Sequence, residues 1–118
     1  MQAINGNNGQ RLAKFLYTNE PLYVQLFKRT KRKRWKQGEA WLIRNYGWPH
    51  FLLQRDPADV IYLDESDVII AVEYNIKPYK LRRRMKQAAS ILKVPPGTIV
   101  RTGTRVGHEI QYIKGSKY

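Results

Sequence analysis

Apolar positions occur in short runs along this chain, and their spacing predicts mainly β-strands. The clearest element is a hairpin, in which the β-branched runs 59–63 and 68–73 flank four polar turn-forming residues, 64–67. Both runs are apolar at successive positions, which is typical of strands that are buried on both faces. The hairpin is therefore predicted to lie near the centre of a sheet or barrel.

The same criteria predict further elements on both sides of the hairpin. Proline, glycine and polar clusters separate the candidate strands, which are 11–17, 40–44, 51–54, 88–94 and 109–113. Residues 18–21 supply the side-chain oxygen, acid and early proline of a helix start, so a short helix is predicted over about 20–29. One further helical turn is predicted over 98–102.

The length of 118 residues fits one domain with a single core. Residues 1–10 are polar and rich in Gly and Asn, which predicts a flexible lead-in to a domain over 11–115. No stretch reaches the ~20 apolar residues of a membrane span, and the N-terminus lacks the apolar core of a signal peptide. The chain has no cysteine, which excludes disulfides and thiolate chemistry. We expect a soluble, cytoplasmic protein.

Four segments, in order along the chain, carry a family resemblance. Residues 59–64 (DVIYLD) match a family pattern D-V-V-F-L-D, and residues 92–98 (LKVPPGT) match L-E-L-P-A-G-T. Residues 103–108 (GTRVGH) match G-x-x-x-G-D, and residues 38–43 (GEAWLI) match G-E-G-L-L-I. Over residues 38–113 the chain resembles the prokaryotic family known as domain of unknown function 192, and the helix before them is a candidate extension of the match.

The resemblance implies a small α+β fold around a compact β-barrel-like sheet, and no established activity. With the strand pattern, it gives the predicted fold class: a single small α+β domain with a β-barrel-like, mostly antiparallel sheet and one or two short helices. Relatives often carry C-N-S-I-H-T where this chain has residues 46–51, so His50 is kept while Tyr46 replaces the cysteine. His108 replaces the final Asp of the glycine motif. The resemblance therefore implies neither thiol nor metal chemistry here.

Charge changes the picture, because the basic residues are clustered. The chain has 22 Lys and Arg against 9 Asp and Glu, a net charge of +13 and a pI near 10.2. Seven cations lie in the first basic block, residues 28–36, and six in the second basic block, residues 77–86. Seven of the nine acids lie between the two blocks. Like charges at this spacing repel one another, and a bound polyanion offsets that repulsion.

We therefore predict a non-catalytic module that binds a polyanion, with nucleic acid as the leading case. Phosphates would pair with the cations, and unstacked bases would lie on neighbouring aromatic rings. The predicted phosphate contacts are Lys31, Arg32, Lys33, Arg34, Arg82, Arg83, Arg84 and Lys86. The predicted stacking residues are Trp35 and Tyr79, with Trp48 as a further candidate. The alternative is that Trp35 lies at the edge of the core and that the cations are simply solvated.

Two other functions stay open. One is a small-ligand-binding or hydrolytic domain around Trp48, His50, Asp59 and the Thr98 loop, since an imidazole can act as a general base and exposed amides near Thr98 can hold an anion. The other is an adaptor for an acidic protein. The acidic cluster 64–67 lacks the glycine and spaced ligands of a calcium loop and is better explained as the hairpin turn. No cofactor motif or metal-ligand spacing occurs, so neither a cofactor nor a metal is predicted.

Overall fold

Strands dominate the computed structural model, which describes residues 1–18, 35, 38–44, 50–51, 57–77, 81–82 and 87–114. In chain order the strands are β1 (Gln2–Asn5), β2 (Arg11–Ala13), β3 (Phe15–Thr18), β4 (Glu39–Arg44), β5 (His50–Phe51), β6 (Ala58–Leu63), β7 (Ile69–Ile76), β8 (Leu81–Arg82), β9 (Ser90–Val94) and β10 (Ile110–Ile113). Within these residues one short helix, α1 (Thr98–Arg101), follows β9. The predicted helix over 20–29 and residues 52–54 of a predicted strand lie outside the described residues.

The described strands form three sheets. The main sheet has the order β3–β4–β9–β6–β7, in which β3 and β4 are parallel and the other pairs are antiparallel. Strands β10–β1–β2 form an antiparallel sheet, and β5 pairs with β8. The prediction of a small, mostly antiparallel, strand-rich domain with a short helix is confirmed. The barrel-like closure is wrong, because in the described part of the chain the main sheet runs from β3 to β7 without closing on itself.

The predicted hairpin is present, but only its first arm lies at the centre of the main sheet. All six residues of β6 are buried, while β7 is partly exposed along most of its length. The reason is that β9 pairs with the other side of β6, and all five β9 residues are buried. The centre of the sheet is thus β9–β6, and β7 is its outer strand among the described residues.

Alternate residues of the central strands supply two cores on opposite faces of the main sheet. Ile61 and Leu63 belong to the first core, which also contains Leu12 of β2, Ile110 of β10 and Ile99 of α1. The second core lies on the other face and contains Ala58, Val60, Tyr62, Ile76, Ala88 and Ile91. Because side chains alternate along a strand, one short strand such as β6 contributes to both cores.

No helix in the described part of the chain has the length and apolar character to cross a membrane.

The N-terminal residues are not the unstructured lead-in that their composition predicts. Strand β1 pairs with both β2 and β10, and Asn5 is fully buried. The Asn5 side chain accepts a bond from the backbone N–H of Asn7 at 2.9 Å and donates to Thr104 Oγ1 at 3.2 Å. Its amide nitrogen also lies 2.9 Å from Nδ1 of His108. Asparagine is favoured in this segment because its side chain bonds the turn and the C-terminal residues at once.

Asp59 joins three parts of the chain through a buried carboxylate. Its Oδ1 accepts the N–H of Asn75 at 2.9 Å, and its Oδ2 accepts the N–H groups of Gly97 at 3.0 Å and Ile99 at 3.3 Å. Asn75 lies in a bulge of β7 with φ of 51°, a left-handed conformation that Asn tolerates better than most residues. The carboxylate therefore accepts the backbone N–H of the bulge residue Asn75 and also positions the start of α1.

The hairpin turn after β6 is built by its acidic residues. Asp64 Oδ1 accepts the N–H groups of Ser66 at 2.8 Å and Val68 at 3.0 Å. Asp67 pairs with Arg44 of β4 at 3.3 Å and accepts a hydrogen bond from the Tyr112 hydroxyl at 3.4 Å. Burial, followed by the negative charge of Asp67, raises the pKa of Tyr112 well above the usual range of a tyrosine. The acidic cluster is thus the turn that the sequence favoured.

We predict that Asp59→Asn destabilises the protein by about 3 kcal/mol, because an amide NH2 replaces an acceptor oxygen and hydrogen bonds to a charged group contribute about 1.5–3 kcal/mol each. The matched control is Asp64→Asn, since its remaining oxygen can still accept the two turn N–H groups and a loss of only about 1 kcal/mol is expected. Urea unfolding measures both free energies. Equal losses for the two variants would contradict the structural role of Asp59.

The raised pKa of Tyr112 predicts a pH dependence of stability. The unfolded chain releases this phenol proton near the ordinary tyrosine pKa of about 10, while the folded protein retains it. The stability that this group contributes is complete below about pH 10 and is lost as the pH rises toward the folded pKa. Between about pH 10 and 11.5, unfolding free energies of Tyr112→Phe should therefore fall less steeply than those of the unmodified protein. Tyr74→Phe, at an exposed tyrosine, is the control, and a similar slope change in both variants refutes the assignment.

Candidate functional site

Most of both basic blocks lies outside the described residues. That holds for the predicted phosphate contacts Lys31, Arg32, Lys33, Arg34, Arg83, Arg84 and Lys86, and for the aromatic residues Trp48 and Tyr79. For Arg82 the backbone is described, and it pairs with His50 in the β5–β8 ladder. Residues 81–82 of the second block therefore lie beside the strand that carries His50, a proximity that the sequence did not indicate.

Trp35, in the first basic block, is partly buried against the second core. Its indole Nε1 donates a hydrogen bond to the carbonyl of Pro57 at 2.9 Å. This position favours the alternative stated for Trp35, in which the ring lies at the edge of the core. The same core also contains Ile76 and Ala88, which lie just before and just after the second basic block in the sequence. A residue of one block and both flanks of the other thus belong to one apolar cluster.

Of the alternative pocket predicted around His50, Asp59 and Thr98, the structure describes the side chains of Asp59 and Thr98. Thr98 is buried near Asp59, but the Asp59 carboxylate is 1% exposed and both of its oxygens accept backbone N–H groups. The hydrogen-bonding needs of this buried carboxylate are therefore met by the fold itself, which favours a structural role for Asp59. The expectation of exposed amides near Thr98 is wrong, because the N–H groups of Gly97 and Ile99 donate to Asp59 and that of Thr98 donates to Pro95 O at 3.2 Å.

A second candidate site emerges only from the tertiary structure. A groove of about 730 Å³ runs between the β2–β3 segment and the segment that leads into α1; we call it the basic groove. Its described lining consists of residues 11–15, Gly38, 95–98 and Arg101. Arg11, Lys14 and Arg101 supply three exposed cations, and none of these lining residues is acidic. An anion in the groove would therefore meet positive charge and no repelling carboxylate among the described lining residues.

The first wall of the basic groove depends on a break between β2 and β3, where the sequence predicted one continuous strand. The N–H groups of Lys14 and Phe15 both donate to the carbonyl of Gly38, at 2.8 and 2.9 Å. Gly38 has φ of 82°, and a Cβ there would lie 3.2 Å from that of Lys14, so any other residue would be strained at this position. The break leaves Ala13 buried but Phe15 53% exposed, although residues two positions apart in one continuous strand would share a face.

The second wall is a rigid turn. Pro95 and Pro96 fix their own backbone angles and lack N–H groups, and Gly97 follows with φ of 89°. Asp59 anchors this turn from beneath, and Ile99 holds α1 on the first core. Arg101 is the last residue of α1, and it is exposed. The wall is therefore fixed at both ends before any ligand binds.

Sequence reasoning missed this groove because its three cations are isolated along the chain. Arg11 and Lys14 lie near the N-terminus and Arg101 lies near the other end, outside both basic blocks. A search for contiguous charge does not detect them. The useful signal was the proline–glycine turn at residues 95–97, which marks the wall but not its opposite side.

Comparison with known proteins places the fold but not the function. No family model matches the chain, and no curated protein is detectably similar to it. Two solved structures share the fold at 16% sequence identity. A protein of unknown function from Novosphingobium aromaticivorans DSM 12444 has a TM-score of 0.72, over 95% of this chain and 84% of that one. A protein from Sinorhizobium meliloti 1021, described as "a putative transcription regulator", has a TM-score of 0.67 over 93% of this chain and 89% of that one.

Proposed function

We propose that the protein is a non-catalytic module that binds a polyanion, with nucleic acid as its main ligand. One observation carries the proposal: Trp35 of the first basic block packs against the core whose members Ile76 and Ala88 flank the second block. Trp35 and these two flanking residues, which are far apart in the sequence, thereby contact the same core on one face of the main sheet. That arrangement and the thirteen cations of the two blocks support a shared basic surface.

The physical basis is counterion release. Each phosphate that a Lys or Arg neutralises on duplex DNA contributes about −0.9 to the slope of log affinity against log salt. Six such contacts would give a slope of about −5, so binding would be tight at low salt and weak at high salt. Lys77, at the edge of the second block, is exposed and available for such a contact. In this proposal Trp35 positions the first block and its cations contact the phosphates, while Tyr79 and Trp48 remain the candidates for base stacking.

We predict that Arg83→Glu/Arg84→Glu weakens binding to labelled single- and double-stranded oligonucleotides by more than about tenfold at low salt, with a shallower salt dependence. The loss should be similar for all base sequences, because phosphate contacts carry no sequence information. Fluorescence anisotropy over a salt titration measures both quantities. The matched control is Arg105→Glu/Lys114→Glu, which changes the net charge equally at exposed residues outside the two blocks.

Three outcomes separate the alternatives. No affinity for either oligonucleotide at low salt would refute nucleic-acid binding. Equal weakening by the two double variants would refute a defined surface and leave only a response to net charge. Salt-sensitive binding to poly-glutamate without binding to oligonucleotides would instead support the adaptor for an acidic protein.

A further inference from the structure

The walls of the basic groove and Trp35 of the first basic block contact different cores. The groove walls rest on the first core through Leu12, Ala13 and Ile99, whereas Trp35 packs on the second core. The main sheet separates the two cores. A ligand in the groove is thus expected to bind independently of a polyanion on the blocks.

We propose that the basic groove binds a nucleotide through its phosphate and its base, as a nucleoside monophosphate. The phosphate would lie between the two walls, with Arg11 and Lys14 on one side and Arg101 on the other. A phosphate monoester carries about −1.5 to −2 charges near neutral pH, which suits three cations without a lining carboxylate. Arginine adds paired N–H donors that match phosphate oxygens. A ligand with a single negative charge would leave most of the repulsion among the three cations in place.

The exposed ring of Phe15 provides the second half of the recognition. This side chain is 53% exposed within the groove lining, and the Lys14 ammonium lies 6.0 Å from the centre of its ring. A large apolar ring beside a cation is suited to a ligand that joins an aromatic group to an anionic one. In a nucleoside monophosphate, the base and the phosphate are separated by one sugar. The base would stack on Phe15 while the phosphate reaches the cations.

The size of the groove and the hydrogen bonds that hold its walls also suit the binding of a nucleoside monophosphate. The groove volume of about 730 Å³ falls within the about 300–1,000 Å³ that is usual for small-molecule sites. Gly38 holds the first wall through two hydrogen bonds, and Asp59 with the two prolines holds the second. Since neither wall needs to be ordered by the ligand, little binding energy is lost to ordering them.

The experiment is a titration of the full chain with adenosine 5′-monophosphate, adenosine and inorganic phosphate, followed by ¹H–¹⁵N NMR and calorimetry. We expect the monophosphate to bind at least about tenfold more tightly than either fragment, since it alone engages both the cations and the ring. The amides of Lys14, Gly97 and Arg101 should shift in slow or intermediate exchange. Affinity for the monophosphate that does not exceed that for phosphate would overturn the proposal.

Variants assign the two contacts separately. Arg11→Gln/Arg101→Gln should weaken both the monophosphate and phosphate by about tenfold or more, whereas Phe15→Leu should weaken only the monophosphate. Arg105→Gln/Lys114→Gln removes the same charge outside the groove lining and should leave affinity unchanged. Equal effects of the two charge variants would overturn the proposal. All of these side chains are exposed, and the NMR spectra report directly whether each variant is folded.

The source of the nucleotide is tested by competition. If an oligonucleotide with a 5′-phosphate displaces the monophosphate and its 5′-hydroxyl counterpart does not, the groove binds the end of a chain. If neither displaces it, the groove binds free nucleotides. Arg83→Glu/Arg84→Glu should leave monophosphate affinity unchanged, so failure of the groove and failure of polyanion binding by the blocks are distinguishable.

Discussion

The carboxylate of Asp59 is the interaction on which the arrangement of this domain depends. It is buried in the middle of the sheet and accepts three backbone N–H groups from two other segments. A buried charge is tolerated only when it is fully hydrogen-bonded, and these donors are themselves groups that would otherwise lie unsatisfied beside a bulge and a turn. Strand β6, the bulge of β7 and the start of α1 are therefore stabilised by one residue.

The same residue explains why the short helix is a structural element rather than an anion site. The N–H groups that precede and begin α1 already face an anion supplied by the protein itself. What remains open to a ligand is the outer side of the turn, where side chains from both walls provide positive charge. The side chains that face the groove and that a ligand could contact therefore include those of Arg11, Lys14, Phe15 and Arg101. The backbone of the turn beneath them is held by Asp59.

A sheet with a core on each face gives the domain two separate surfaces. The first core supports the walls of the basic groove, and the second core supports Trp35 and the flanks of the second basic block. Strands β6 and β9 are buried on both faces because they serve both cores. The two similar solved structures share this fold at 16% sequence identity.

The sequence by itself determined the local elements whose signals are short-range. The hairpin at residues 59–73, the acidic turn within it, the stop at Pro95 and the helical turn after Gly97 all follow from β-branched runs and turn residues, and all are present. The net charge and its clustering are likewise properties of the sequence alone. These features depend on neighbours within a few positions, which is the range that propensity and periodicity describe.

Only the tertiary structure decided which distant residues meet. Residues 1–10 became a strand and an ordered turn because β10, far along the chain, supplies their partners, and β9 rather than β7 took the centre of the main sheet beside β6. The break at Lys14 depends on the carbonyl of Gly38, and the groove exists because Arg101 is brought opposite Arg11. Such pairings are fixed by long-range hydrogen bonds and by burial on a common core, and no local pattern of residues encodes them.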